Sequence, residues 1–307
     1  MSEGKVGTEL TDCLLCNSSR YRLLFIGSDR LHGFPGEFPV VECLDCGLVY
    51  LQERPDSNSL GGYYPHTYAP YNPGFGWVTW LQSRLLSLRA RRFARLIEPG
   101  GTVLEVGCAT GDLLARIKDL FGHKVVGLEM SEVASHTGRS RFGLNILCGT
   151  LDQADFKPAS FDLIILRHVL EHLPNPLASL TKLKDLLKPG GYLVIEGPNY
   201  DGLDRTVFGP RWYDYDVPRH LFIPSVTTLR LMFDRFGLHV VTIRHSWLPN
   251  DWIGSVHNLI VEKFGRRSWT ERIRFSNPFC ILLGLPFGVL QMLLRRSGRV
   301  EVVAVKR

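Results

Sequence analysis

The sequence predicts an α/β fold: a seven-stranded, largely parallel sheet with helices on both faces, preceded by a small N-terminal four-cysteine module. Three observations predict it. From Thr102 onward, short apolar runs alternate with stretches of helical periodicity, the signature of repeated β and α units. A glycine-bearing turn follows the first of these runs. Two C-x-x-C pairs stand apart, ahead of the alternation.

The chain of 307 residues has room for one large domain and an appendage. The divisions predicted are a zinc-binding module over 1–55, a connector and helix over 56–98, and an α/β domain over 99–307. With 45% hydrophobic and 21% charged residues, a sizeable core forms and wholesale disorder is excluded. The opening residues, MSEGKVGTEL, are polar, so no secretory signal is expected. Of seven cysteines, four fall in two close pairs, which suits metal binding in a reducing cytoplasm better than a disulfide framework. The formal net charge is +6, and the segment 261–299 alone, with eight basic and two acidic residues, carries all of that excess. A cationic channel along the fold is therefore not expected, and nucleic acid is an unlikely partner on this reading.

In chain order, Phe38–Glu42 and Gly47–Tyr50 read as short strands beside the cysteines, and the Gly/Pro/Tyr-rich run from Pro55 to Gly76 as irregular connector. Trp80, Leu81, Leu85, Leu88, Phe93 and Leu96 recur at helical spacing, giving a helix over Trp77–Ile97 that EPGG stops. Strands follow at Val103–Val106, Lys124–Leu128, Leu144–Cys148 and Phe161–Leu166, then Tyr192–Glu196, Leu238–Ile243 and Val300–Val305. FDLIIL is a continuous run, apolar but for Asp162, of the kind a strand buried on both faces requires. Helices are predicted over Asp112–Leu120, Leu177–Leu187 and Val226–Phe236.

The turn after the first sheet strand reads Glu105-Val106-Gly107-Cys108-Ala109-Thr110-Gly111. Its glycines allow tight turning and close ligand approach at a helix N-terminus. The G-x-x-x-G spacing lacks the G-x-G-x-x-G arrangement that suits a pyrophosphate, and Glu129, closing the next strand, is placed to accept two ribose hydroxyls. TVLEVGCATG, VVGLEM, FDLIILRHVLEHL and LKPGGYLVI together resemble successive motifs of Rossmann-like class I S-adenosylmethionine-dependent methyltransferases, over about residues 90 to 245. That resemblance implies S-adenosyl-L-methionine as cofactor. Glu105 would lie near its amino acid moiety, with Gly107, Cys108, Ala109 and Gly111 in the wrapping loop. Glu129 would hold the ribose, Met130 would face the adenine, and Thr150 and Leu151 would flank its edge. Arg167 and His168 would border the methionine end.

Cys13-x-x-Cys16 and Cys43-x-x-Cys46, separated by 26 residues, supply four thiolates, enough to close a tetrahedral Zn2+ site with no position left for water. The expected role is structural. Cys46-Gly47-Leu48 looks like a zinc-ribbon knuckle.

Two stretches carry the catalytic candidates. His168-x-x-Glu171-His172 matches an H-x-x-E-H metalloprotease pattern, but it follows a sheet strand and no third ligand is evident in sequence. There His172 or Glu171 is placed to orient substrate or cap a helix. The second stretch, Trp212 to Phe222, follows the fifth sheet strand, at the edge where α/β sheets bind ligands. Histidine ordinarily titrates near neutrality, which makes His220 the preferred base for deprotonating an acceptor; Tyr215 is second choice. This stretch, the four-cysteine module and the GYYPHTYAPY connector resemble those of deoxysugar C-methyltransferases.

An insertion at about 247–298 separates the last two strands; within it Phe279–Leu294 is almost wholly apolar, flanked by arginines. At 16 residues that run is short of the roughly 20 needed to span a bilayer. It predicts a peripheral contact with an anionic cytoplasmic membrane face, with a buried helix or an oligomer contact as the alternatives. The function expected is methyl transfer to a small-molecule or lipid-linked acceptor, foremost a sugar in bacterial polysaccharide or natural-product assembly. The alternatives are a quinone or prenyl-lipid acceptor and a non-catalytic scaffold.

Overall fold

The computed structural model describes residues 7–56, 59–64 and 77–307, with the side chains of all but 77–82 and 271. Of the connector read as irregular, residues 57–58 and 65–76 lie outside the described residues, as do the side chains of Trp80 and Leu81.

The N-terminal region holds β1 (Thr8–Leu10), β2 (Tyr21–Gly27), β3 (Phe38–Cys43), β4 (Val49–Leu51) and β5 (Glu53–Pro55), then a single 3-10 turn at Leu60–Tyr63. Helix α1 (Trp77–Ala94) leads into the alternating region: β6 (Thr102–Val106), α2 (Asp112–Phe121), β7 (Lys124–Glu129), α3 (Glu132–Phe142), β8 (Asn145–Cys148) and β9 (Phe161–Arg167). Next come α4 (Pro176–Leu186), β10 (Leu187–Pro198), α5 (Leu203–Phe208), β11 (Phe222–Ile223), α6 (Val226–Arg235) and β12 (Leu238–His245). The insertion is α7 (Asn250–Phe264) and α8 (Pro278–Leu293), and β13 (Arg299–Lys306) ends the chain.

The seven expected strands form one sheet in the order β12-β13-β10-β9-β6-β7-β8. β6 to β10 run parallel, and β13 lies antiparallel between β10 and β12. The chain leaves β6 in one direction through β7 and β8 and resumes on its other side at β9, so a crevice opens where β6 and β9 end. The apolar run in β9 is buried on both faces, as its composition predicts. Leu163 and Ile165 pack with Phe93 of α1 and Leu114 of α2, while Ile164 and Leu166 pack with Leu183 of α4 and Phe233 of α6.

Two differences from the sequence reading have local causes. β10 starts at Leu187, with an irregular register up to Tyr192, so the strand expected from Tyr192 begins earlier and KPGG is a bulge within it. Helix α3 was not anticipated; its buried positions are Ala134, Ser135 and Gly138, too small to leave an apolar period.

The N-terminal region is not an isolated appendage. β11, from the stretch after β10, extends its sheet in the order β11-β4-β3-β2. Phe222 pairs with Tyr50 and Ile223 with Val49, and Cys13, Phe38 and Val41 share one continuous core with the α4 and α6 side of the main sheet.

Candidate active site

The loop after β6 is shaped by three left-handed residues, Gly107 (φ 69°), Ala109 (φ 49°) and Gly111 (φ 75°). A Cβ on Gly107 would stand 2.4 Å from a methyl of Val169, so only glycine fits. Gly107 N–H donates to the Leu128 carbonyl at 2.7 Å. Glu129 closes the loop against β7: its Oε2 accepts from Ala109 N–H (2.9 Å) and its Oε1 from Ser131 N–H (2.8 Å). The first turn and the second-strand carboxylate, singled out separately in the sequence, are thus one hydrogen-bonded unit. Each oxygen keeps a lone pair for a further donor.

Glu105 lies beneath that loop, 3% exposed, and its Oε2 has no hydrogen-bond partner. Burial pushes the carboxyl up to about 7, against the pull of Arg167. A buried acceptor without a donor is what the ammonium of a bound amino acid would satisfy. Met130 is 63% exposed, an apolar surface open to a flat ring; Leu151 is buried below. Thr150 directs its N–H and its hydroxyl to the Gln153 side-chain oxygen, each at 3.1 Å, so that polar edge is already engaged. The Cys108 side chain is buried away from the loop surface, which leaves its backbone as the contact.

A ladder of charge crosses the strand ends here. Arg167 lies 3.8 Å from Glu105 and 3.1 Å from Glu196, and Arg89 of α1 reaches Glu196 at 2.9 Å. Burial opposes ionisation of Glu196, but Arg167 and Arg89 hold it down at about 2. Sequence reasoning missed Glu196. The signal was available: like Glu105 and Arg167 it is a charged residue near the C-terminal end of an apolar strand. Beside it opens a cleft of about 330 Å3, lined by Arg89, Arg92, Arg244 and Glu301 together with Leu88 and Trp247.

On the other side of the crevice the two candidate stretches meet. Glu171 and His172 sit on a 3-10 turn after β9 (Leu170–His172), and the His172 and His220 rings meet edge-on at 4.7 Å. His220 Nδ1 donates to the Asp214 carbonyl at 2.7 Å, which fixes the tautomer and leaves Nε2 with its lone pair. That Nε2 is 3.9 Å from Glu171 Oε1 and 4.0 Å from Asp216 Oδ2. Glu171 is buried, which alone would raise its pKa; the hydrogen bond from His168, 3.4 Å away, outweighs that and the carboxyl lies at about 2. Burial and His220 push His172 down to about 4, so it is neutral at pH 7 and its Nδ1 lies 2.9 Å from the Arg219 carbonyl.

Tyr215 does not suit the role of base. It is 6% exposed, packed edge-on against Phe25 and Trp212, and burial pushes its phenol well above the usual tyrosine range. Arg219, overlooked in the sequence, is the anchor of the stretch: wholly buried, it grips Asp29 at 2.8 Å and Asp216 at 2.6 Å.

Two groups of side chains could hold a metal ion among the described residues. In the first, Cys13 and Cys46 sulfurs are 3.4 Å apart and those of Cys16 and Cys43 3.5 Å. These spacings approach the roughly 3.8 Å edge of a tetrahedron with Zn–S bonds of about 2.3 Å. Gly47, at φ 75°, turns the second knuckle and donates to the Cys43 carbonyl at 3.0 Å. The Cys46 thiol holds Cys13 down to about 5, so one sulfur already favours the thiolate that a metal needs. The second group is Glu171, His172 and His220, with ligand atoms within 4.8 Å of one another. His220 is the third side chain that the H-x-x-E-H spacing could not reveal.

A family model described as a methyltransferase domain matches residues 77–243. The chain belongs to that family. Similar curated proteins include a tRNA U34 carboxymethyltransferase from Pseudoalteromonas translucida, 31% identical over 157 residues (48% of each chain). A ubiquinone biosynthesis O-methyltransferase from Xanthomonas campestris is 35% identical over 112 residues, 34% of this chain and 46% of that one. This methyltransferase-family chain thus spans about half the length of the curated relatives it matches. Among solved structures, a putative sarcosine dimethylglycine methyltransferase from Galdieria sulphuraria shares the fold with a TM-score of 0.52 at 15% identity, covering 74% of this chain and 86% of that one.

Proposed function

We propose that the protein transfers a methyl group from S-adenosyl-L-methionine to a small-molecule or lipid-linked acceptor, foremost a sugar. The observation that carries the donor assignment is the pairing of Glu129 with the Ala109 loop above a partnerless Glu105 oxygen. Bound there, S-adenosylmethionine supplies an electrophilic methyl group on a cationic sulfur. Glu105 takes the ligand's ammonium, Glu129 its ribose, and Met130 its ring face. Cys13, Cys16, Cys43 and Cys46 would hold a zinc ion that cross-links the N-terminal region, which β11 joins to the proposed acceptor side.

His220 takes the acceptor proton on Nε2. The Asp214 carbonyl holds the ring in the required tautomer, and the Glu171 and Asp216 carboxylates, at 3.9 and 4.0 Å, stabilise the imidazolium formed. The four-cysteine module and the Tyr215–His220 stretch support the sugar reading. A quinone or prenyl-lipid acceptor is the second reading, favoured by the ubiquinone-pathway relative and by a cleft lined with both arginine and apolar side chains. The tRNA-modifying relative sits against the expectation that nucleic acid is no partner, so tRNA belongs among the acceptors tried.

The test is incubation with a methyl-labelled donor and a panel of nucleotide sugars, polyprenyl-linked sugars, demethylated quinone precursors and tRNA. Label in one acceptor class assigns it. Donor bound by calorimetry with no transfer to any acceptor would make the chain a scaffold.

A further inference from the structure

Helix α8 is inside out. A surface helix ordinarily buries its large apolar side chains and shows polar ones. Here the buried positions are Gly284, Gly288 and Gln291. A Cβ on Gly284 would lie 2.7 Å from Pro249, and one on Gly288 only 2.2 Å from the Trp247 carbonyl oxygen, so the helix is seated by its thin side. Gln291 accepts from Trp252 Nε1 at 2.9 Å and fixes the rotation. The side turned outward carries Phe279 (65% exposed), Leu282 (65%), Leu283 (57%), Phe287 (48%), Leu290 (46%) and Leu293 (70%).

The charges bracket this face. No residue from Phe275 to Leu294 is charged; Arg272 and Arg274 precede it and Arg295 and Arg296 follow it, all exposed. The sixteen residues of α8 measure about 24 Å along the axis, and no helix among the described residues is long and apolar enough to cross a membrane. An apolar strip lying flat with arginines at both ends matches the interface of a bilayer, with tails below the strip and phosphates at its ends. A second copy of the chain fits worse. Face-to-face packing in either direction sets arginines against arginines, and no acidic residue between Arg272 and Val300 offsets them.

We propose that α8 docks the protein in the plane of an anionic lipid surface, with Phe279, Leu282, Leu283 and Leu293 entering the acyl boundary and Arg295 and Arg296 at the phosphates. The inference stands apart from the methyl-transfer reading, since it concerns where the chain resides and not what it catalyses.

Sedimentation of the whole chain with vesicles tests it without any activity. Binding is expected to vesicles of phosphatidylcholine with 30% phosphatidylglycerol, and to fall at least tenfold on phosphatidylcholine alone. Leu282→Gln/Leu283→Gln/Leu293→Gln, at outward positions, and Arg295→Glu/Arg296→Glu should each lower the partition coefficient at least tenfold with an unchanged circular dichroism spectrum. Wild-type protein left in the supernatant with every vesicle, or a triple glutamine variant that binds as well as wild type, overturns the proposal. So does a dimer in analytical ultracentrifugation that this variant dissociates, which would assign the face to a second copy.

Discussion

Arg219 and Asp29, 190 residues apart in sequence, form a wholly buried, two-pronged ion pair: Nη2 to Oδ1 at 2.8 Å and Nη1 to Oδ2 at 3.1 Å. The same guanidinium holds Asp216, so the stretch that carries His220 is pinned to the N-terminal region by charge as well as by β11. Arg219→Met would strand the buried Asp29 carboxylate and the half-buried Asp216 and should cost about 3–5 kcal/mol of stability. Urea unfolding monitored by tryptophan fluorescence measures it. Arg22→Ala, which breaks the exposed Arg22–Glu42 pair, should leave the midpoint in place.

His220→Ala should lower methyl transfer about a hundredfold while donor affinity holds. Steady-state turnover alongside calorimetry separates the two. Near-normal turnover would remove His220 from the mechanism.

Glu129→Ala removes the acceptor of two backbone N–H groups and of the proposed ribose contact. Affinity for S-adenosylhomocysteine should fall by about ten- to a hundredfold, on the scale of hydrogen bonds to a charged group. Unchanged affinity contradicts the site.

Glu105 gives the donor site a pH dependence whose sign is fixed. Burial lifts its pKa from the ordinary 4.5 to about 7, so the unliganded carboxyl is largely protonated at pH 6. Binding an ammonium requires the carboxylate. Affinity for S-adenosylhomocysteine should therefore rise roughly tenfold per pH unit up to about 7 and level off above, with proton release at pH 6. Calorimetry in buffers of differing ionisation enthalpy reads that proton, and Glu105→Gln should abolish the release.

Metal analysis should return one zinc per chain, lost in Cys46→Ser with a marked drop in thermal stability. Four-cysteine sites contribute on the order of 10 kcal/mol to folding. A further metal that persists in Cys46→Ser would belong to Glu171, His172 and His220, and would make His220 a ligand instead of a base.

The sheet was legible because strands buried on both faces need apolar stretches such as Leu163–Leu166 of β9 and Leu193–Ile195 of β10, with charged residues kept towards the strand ends. The turn after β6 was legible because glycine marks a backbone shape that other residues resist. Helix α3 was hidden because it packs through alanine, serine and glycine, which carry no period. The histidine cluster was half visible: His220 and His172 drew notice by residue type, but nothing in a linear sequence says that Arg219 belongs to Asp29. An ion pair encodes sign, not partner.

Strand β11 is only two residues long, yet it ties the four-cysteine region to the stretch proposed to meet the acceptor. Phe222 and Ile223 follow His220 almost directly and lie along Tyr50 and Val49, a few residues past the last cysteine pair. With zinc held there as proposed, chelation would loosen the wall proposed to face the methyl acceptor, while the proposed donor half of the crevice, built on β6 and β7, would keep its shape. A zinc-starved chain would go on gripping the donor and let the second substrate slip.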